Sequence, residues 1–275
     1  MYLFIADYFT YIQPEQFDKL ISGNDAIRIL AERAGEAEAV SYLTQRYNVA
    51  EEFTHTSVWS NTTATYTGES RIYLDASDFD ATQSYAVGNL VNYEGIIYRC
   101  STIHSGTWDA AHFTLIGLQY TLYFGKLPEP LFDYYKKYDA GDIVFYAGKE
   151  YTAQAQVENV FPNDPDKGAQ FWGSGVVYSI PAGTLPTNAN YWVIGDNRSQ
   201  QVVQCMIDIV LFHLHTRIAP GNVPQSRVER YVNAKEWLRM AGGQIDGITA
   251  DIPLRQPKAG QRTRFGGNLK RNNLY

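Results

Sequence analysis

The sequence predicts an α+β fold, in which a small α-helical bundle from both chain ends carries a β-rich, internally repeated insertion. Three observations predict it. First, helical periodicity marks the first 50 residues and returns at Ser199. Second, the part between is dominated by Thr, Tyr, Val and Gly. Third, one phrase occurs twice in that part. Neither end has enough helix to bury its own apolar face. We therefore expect residues 1–50 and 199–254 to pack together as one domain.

The first two helices have recognisable boundaries. Pro14 is suited to a helix start and Gly23 to a helix end. Asn24 or Asp25 is the expected N-cap of the next, longer helix. Apolar positions stepping by three or four residues predict the buried face of this helix: Ile27, Leu30, Ala34, Ala37, Val40, Leu43 and Tyr47.

The insertion, residues 51–198, contains the repeated phrase. "YAVGNLVNYEGIIY" begins at Tyr85, and "YDAGDIVFYAGKEY" begins 53 residues later at Tyr138. Six positions recur in register, which indicates a duplicated structural unit. Glu94-Gly95 and Ala147-Gly148 predict a hairpin turn in each copy. The similar segments "AAHFTLIG" and "NANYWVIG" suggest that the copies span about 79–117 and 132–196.

Two further helices are predicted after Ser199. The segment "SQQVVQCMIDIVLFHLHTRI" is apolar on more than one face, so neighbours are expected to bury it on several sides. The last helix begins near Pro224 and ends at Gly242-Gly243.

Composition limits the class of protein. No run of residues approaches the ~20 apolar positions that cross a bilayer, and no signal peptide is expected at the N-terminus. Cys100 and Cys205 stand far apart in the sequence, which suits a reducing compartment. The 21 tyrosines indicate extensive sheet or contact surface, because a tyrosine ring packs while its hydroxyl stays hydrated.

Charge is distributed unevenly along the chain. The net charge is −6, yet residues 255–275 hold six basic residues and no acid, so the remainder carries −12. This Gly- and Asn-rich tail is either a solvated end or an extended arm that orders against an acidic partner. The residues expected to carry arm contacts are Arg255, Lys258, Arg262, Arg264, Phe265, Lys270 and Arg271.

Catalytic and cofactor motifs are not apparent. The sequence has no P-loop, dinucleotide fingerprint, nucleophile elbow, CxxC or HExxH pattern. His104, Ser105 and Asp109 lie in a turn-like segment, as do Asp164 and Asp166, and turns collect such residues for backbone reasons. His213 and His215 face opposite sides of a helix. We therefore expect no catalytic residue, no metal site, no cofactor and no enzymatic activity.

The two chain ends resemble the Mu-type head–tail connector (adaptor or neck-ring) proteins of tailed bacteriophages. At the N-terminal end, the segment "SYLTQRYNV" is similar to the pattern of this family, with Tyr42, Leu43, Arg46 and Tyr47. The second such segment is an apolar helix with a central Asp208, followed by an "RY..A..WL" phrase and glycine. That phrase comprises Arg230, Tyr231, Ala234, Trp237 and Leu238. The insertion is foreign to this family.

The insertion's repeats resemble small chitin/cellulose-type carbohydrate-binding modules, through the phrase "YDAGDIVFYAGKEYTA". This second resemblance implies aromatic rings that stack on sugars. The candidate glycan-stacking residues are Tyr146, Tyr151, Trp172 and Trp192. The other interpretation is that a stable hairpin module serves as spacer or packing surface.

The connector resemblance implies a structural virion protein that forms a homo-oligomeric ring at the phage neck. Its expected partners are further copies of itself, the portal protein through the arm, downstream neck or tail proteins, and genomic DNA passing through the lumen during ejection. It would reside in the virion, and in the host cytoplasm during assembly. The alternative function is carbohydrate binding by the aromatic modules, with glycans as partners.

Overall fold

The protein is described from a computed structural model covering residues 1–61, 65–68, 70–128, 130–243 and 248–255. Helices together with several small sheets confirm the predicted α+β class. The described helices are α1 (Pro14–Ile21), α2 (Asp25–Leu43), α3 (Val49–Glu52), α4 (Gly168–Phe171), α5 (Gln200–Ile218) and α6 (Gln225–Ala241), with 3₁₀ turns at Ile5–Thr10 and Ala110–His112. None of them combines the length and apolarity of a membrane span.

The strands in the described part of the chain are short and belong to four small sheets. In chain order they are β1 (Thr56–Val58), β2 (Arg71–Tyr73), β3 (Ser84–Tyr85), β4 (Leu90–Tyr93), β5 (Ile96–Cys100), β6 (His104–Ser105), β7 (Phe113–Leu118), β8 (Leu122–Gly125), β9 (Ile143–Tyr146), β10 (Lys149–Thr152), β11 (Val176–Val177) and β12 (Trp192–Ile194).

Both chain ends contribute to one hydrophobic core around α5. This helix contacts α1, α2 and α6, and ten of its residues are buried. The prediction that neighbours bury it on several sides is confirmed. Tyr2, Tyr8 and Phe17 from the N-terminal part and Leu238 from α6 share this core.

Of the seven residues predicted to form the buried face of α2, Leu43 and Tyr47 are buried and Ile27 and Val40 are partly buried, whereas Leu30, Ala34 and Ala37 are exposed. Leu30 is 64% exposed, whereas the buried positions include Arg28, Glu32 and Gly35. A Cβ atom at Gly35 would lie 2.9 Å from Cγ2 of Val210, so α2 approaches α5 through its glycine. Glu32 is held in the interior because it accepts hydrogen bonds from Arg28 at 2.7 Å and from the Tyr8 hydroxyl at 3.0 Å.

A four-stranded mixed sheet, here called the platform sheet, lies at the base of the insertion with strand order β1-β2-β8-β12. Its strands come from before the first repeat, between the repeats and after the second. Ile72, Leu74, Tyr123 and Trp192 belong to its core. Strands are predicted in "SVWSNTTATYTG" and "SRIYL", which overlap β1 and contain β2, but the sequence did not predict how the four strands pair.

The repeats form two small β modules, the first module (residues 78–118) and the second module (residues 131–177). Each contains the predicted hairpin, β4–β5 or β9–β10. Both turn residues have positive φ, 55° and 81° in the first turn and 48° and 78° in the second, as a type I′ turn requires.

Hydrogen bonds repeat with the same spacing of 53 residues. The amide of Asp80 donates to the Tyr85 hydroxyl, and the amide of Asp133 donates to the Tyr138 hydroxyl, both at 2.7 Å. The two modules are therefore equivalent in backbone connections as well as in sequence.

The predicted end of the second repeat requires a correction. Cys100 pairs with Phe113 in the first module, and the equivalent Ala153 pairs with Trp172. Trp192, by contrast, lies on β12 of the platform sheet, opposite Gly125. The second module thus ends near Val177, and residues 188–195 are not the counterpart of residues 110–117.

Candidate functional site

Most residues of the connector-like C-terminal phrase meet around one polar pocket. Arg230, Ala234 and Trp237 follow one another by four and three residues, which places them on the same face of α6. Asp208 of α5 faces them, and Tyr11 from the N-terminal segment closes the side. The cavity, here called the α5–α6 pocket, has a volume of about 520 Å³.

Asp208 and Arg230 line the α5–α6 pocket, and Arg227 lies beside Asp208 without lining the cavity. Asp208 is 5% exposed, and Nη1 atoms of Arg227 and Arg230 each lie 3.7 Å from its Oδ1 atom. Neither Asp208 Oδ1 nor Arg227 Nη1 has a hydrogen-bond partner among the described residues, although both atoms are buried. Burial raises the pKa of the Asp208 carboxyl, and the positive charges of Arg230 and Arg227 offset only part of this effect.

The N-terminal connector-like phrase holds the segment that leads to the arm. The Tyr47 hydroxyl accepts a hydrogen bond from the amide of Ala250 at 2.9 Å, and Tyr47 pairs with Leu254. The carbonyl of Arg46 accepts a hydrogen bond from the amide of Arg255, also at 2.9 Å. The phrase residues therefore hold Ala250, Leu254 and Arg255 in place, at the start of the predicted arm.

Of the predicted arm residues, only Arg255 is described. It is exposed, and its guanidinium lies 3.4 Å from the carbonyl oxygen of Thr44. The others lie outside the described residues: Lys258, Arg262, Arg264, Phe265, Lys270 and Arg271.

Three of the four predicted glycan-stacking residues are in the interior. Trp172 and Trp192 are each 2% exposed and Tyr151 is 7% exposed. The indole N–H of Trp172 donates to the Val160 carbonyl at 3.1 Å, and Trp192 packs in the platform core. These rings cannot stack on a sugar without unfolding their surroundings, whereas Tyr146 is half-buried.

Other aromatic rings are partly exposed on each module. Trp108 stacks on Tyr93 with ring centroids 4.1 Å apart and planes 3° apart. The equivalent Phe161 lies 4.7 Å from the ring of Tyr134. The repeated phrase does not contain Tyr134 or Phe161, so sequence reasoning did not identify them.

Buried ion pairs anchor the insertion where it leaves and re-enters the helical domain. Glu52 accepts hydrogen bonds from the Tyr2 hydroxyl and from the amide of Ser199, the latter at 2.9 Å. Arg198 donates two hydrogen bonds to Asp7, at 2.7 and 2.8 Å. Removing one member of such a pair typically costs 3–5 kcal/mol. We call this cluster the junction network.

The carboxylates of Asp109 and Asp164 accept hydrogen bonds from backbone amides in their turns. Asp109 accepts a hydrogen bond from the amide of Ala111, and Asp164 accepts one from the amide of Asp166. The Nδ1 atoms of His104 and His112 are 2.8 Å apart. Within the described ranges, no three His, Cys, Asp or Glu side chains converge as metal ligands would.

Comparison with protein-family models and with curated proteins gives no match for this chain.

Proposed function

We propose that the protein is a structural virion component that forms a ring at the phage neck and joins the portal to tail components. The observation that carries this proposal is the meeting of both connector-like ends in one helical domain. The C-terminal phrase lines the α5–α6 pocket, and Arg46 of the N-terminal phrase accepts a hydrogen bond from the amide of Arg255. Identical subunits close into a ring through heterologous contacts.

The insertion is proposed to act as a projecting contact surface. The junction network ties it to the helical domain through Glu52 and Arg198, and Arg71 of β2 lies 3.9 Å from the Glu52 carboxylate. Its orientation is therefore held by buried charges at both crossings of the chain. The acidic body suits a lumen through which DNA passes without being held by phosphate contacts.

Assembly on the portal tests this function. Purified full-length protein is mixed with rings of a candidate portal protein and imaged by electron microscopy. We expect a second ring on the portal, and replacement of Arg262, Arg264, Lys270 and Arg271 by Gln should abolish its recruitment without changing thermal stability. A control variant carries Asn272→Ser and Asn273→Ser in the same tail.

The outcomes separate two parts of the proposal. A ring that forms equally well with the neutralised tail would remove the arm's role. Failure of the wild-type protein to associate with any portal encoded beside its own gene would count against the connector function itself.

Carbohydrate binding is the second candidate function, favoured by partly exposed rings on both modules. Tyr93 with Trp108, and Tyr134 with Phe161, offer the apolar faces that such binding uses. Binding on a glycan array that is lost in Trp108→Ala or Tyr134→Ala, but kept in a variant of the exposed Tyr135, would favour it. An array without signal would dismiss it.

A further inference from the structure

The charged cluster at the α5–α6 pocket consists of two guanidinium groups and one carboxylate. Arg227 and Arg230 approach a single carboxylate, Asp208, and remain 3.7 Å from it. Two other titratable groups at the pocket are neutral, since burial raises the pKa of the Cys205 thiol to about 12 and also raises that of the Tyr11 hydroxyl. The cluster of Asp208, Arg227 and Arg230 therefore carries a formal charge of +1 when Asp208 is ionised.

The rim of the pocket presents hydrogen-bond donors to solvent. The Arg230 side chain is 53% exposed, so its guanidinium is accessible from outside. Amide side chains of Gln201, Gln204 and Asn233 also line the cavity. A guanidinium beside amide donors suits a carboxylate, which accepts charge-assisted hydrogen bonds.

We propose that the α5–α6 pocket receives a carboxylate side chain from a second copy of this chain, as one half of a head-to-tail contact. Charge complementarity favours this occupant. The cluster of Asp208, Arg227 and Arg230 is net positive, whereas residues 1–254 together carry −12, so the surface of another copy is rich in carboxylates. The inference rests on the proposed ring and names the contact that would close it.

A small-molecule probe tests the ligand class. N-acetyl-glutamate amide is titrated into the full-length protein, with N-acetyl-glutamine amide as the uncharged control. The readout is the NMR signal of the Trp237 indole N–H, assigned with a Trp237→Phe variant. We expect the glutamate probe alone to shift this signal, and Arg230→Gln to weaken its binding by about tenfold or more. An unmoved signal, or equal effects of both probes, would overturn the carboxylate assignment.

Self-association tests the occupant. Sedimentation velocity over a concentration series compares wild type, Arg230→Gln and a matched control, Arg33→Gln, which removes an exposed charge on α2. We expect Arg230→Gln to weaken association about tenfold and Arg230→Lys to restore part of it, while the control behaves as wild type. Gln204→Glu, which adds a competing carboxylate at the pocket wall, provides a second variant if Arg230→Gln does not fold.

The two hypotheses fail differently. Association that is absent, or unchanged by Arg230→Gln and Gln204→Glu, rejects the second copy as occupant even where a portal ring still recruits the protein. Association that depends on Arg230 without any binding to a portal supports the contact and rejects the neck-ring function.

Discussion

The first and second modules share a backbone plan but differ in their interiors. His104 and His112 face each other in the first, and the equivalent positions of the second are Val157 and Phe171. Each module also has one tryptophan and one phenylalanine at two equivalent positions, in opposite order: Trp108 and Phe113 in the first, and Phe161 and Trp172 in the second. The comparison indicates that the hairpin and its turn specify the module, whereas the interior tolerates exchanges that conserve volume.

The largest loss of stability is expected from truncating the aromatic residue that pairs with the end of each hairpin, Phe113 opposite Cys100 and Trp172 opposite Ala153. Phe113→Ala and Trp172→Ala each remove a buried aromatic side chain, 7% and 2% exposed, and each should destabilise its own module by about 3–5 kcal/mol. Hydrogen exchange measured by mass spectrometry on peptides of both modules locates the loss. Protection against exchange that is lost equally in both modules would contradict the prediction that each variant destabilises only its own module.

Exchanging the histidine pair should have a smaller effect. His104→Val alone leaves His112 without its partner nitrogen and should cost about 1 kcal/mol. The double variant with His112→Phe reproduces the second module and should recover most of this cost. Urea unfolding of the complete double-mutant cycle measures the coupling, and additive effects would show that the pair is not a unit.

The turns allow a test in the stabilising direction. Glu94 and Ala147 have φ of 55° and 48°, in the left-handed region where Asn is tolerated better. Glu94→Asn and Ala147→Asn should each raise the free energy of unfolding by less than about 1 kcal/mol, because backbone strain is relieved. Thermal unfolding measures both, and a gain in only one module would reveal a difference between the two turns.

The smallest effect concerns acid pH in the first module. Hydrogen bonds from the amide and hydroxyl of Thr82 lower the pKa of the exposed Asp80 carboxyl. Because the pKa of Asp80 is lower in the folded state, these hydrogen bonds stabilise the fold at pH values above the unfolded-state pKa of about 3.9. Their stabilisation is lost as the pH falls through the folded-state pKa of Asp80. Exchange of the Thr82 amide should therefore accelerate in acid, and Asp80→Asn should flatten that dependence. An Asp80→Asn variant with the wild-type pH profile would contradict it.

Local features were predictable and distant contacts were not. The hairpins follow from a glycine turn between two alternating runs, and α1 follows from its proline start and its glycine after the end. The pairing of the platform strands could not be predicted because these strands come from separated parts of the insertion. Trp172 and Trp192 were misjudged because sequence does not distinguish a core aromatic ring from a surface one.

The candidate site divides in the same way. The phrase containing Arg230 and Trp237 is visible in sequence, and its helical spacing already places both side chains on one face. That Asp208 and Tyr11 complete a pocket there depends on how α5 and the N-terminal segment pack against α6. Burial of Asp208 with two arginines is likewise a property of that packing.

By itself, the sequence determined the α+β class, the four longer helices, the duplicated hairpins and their turns, because each depends on residues close together in the chain. Tertiary structure alone decided which face of α2 is buried, where the second module ends and how ion pairs fasten the insertion. Those outcomes depend on close approach between distant segments, such as α2 and α5 at Gly35, and no local pattern encodes that approach.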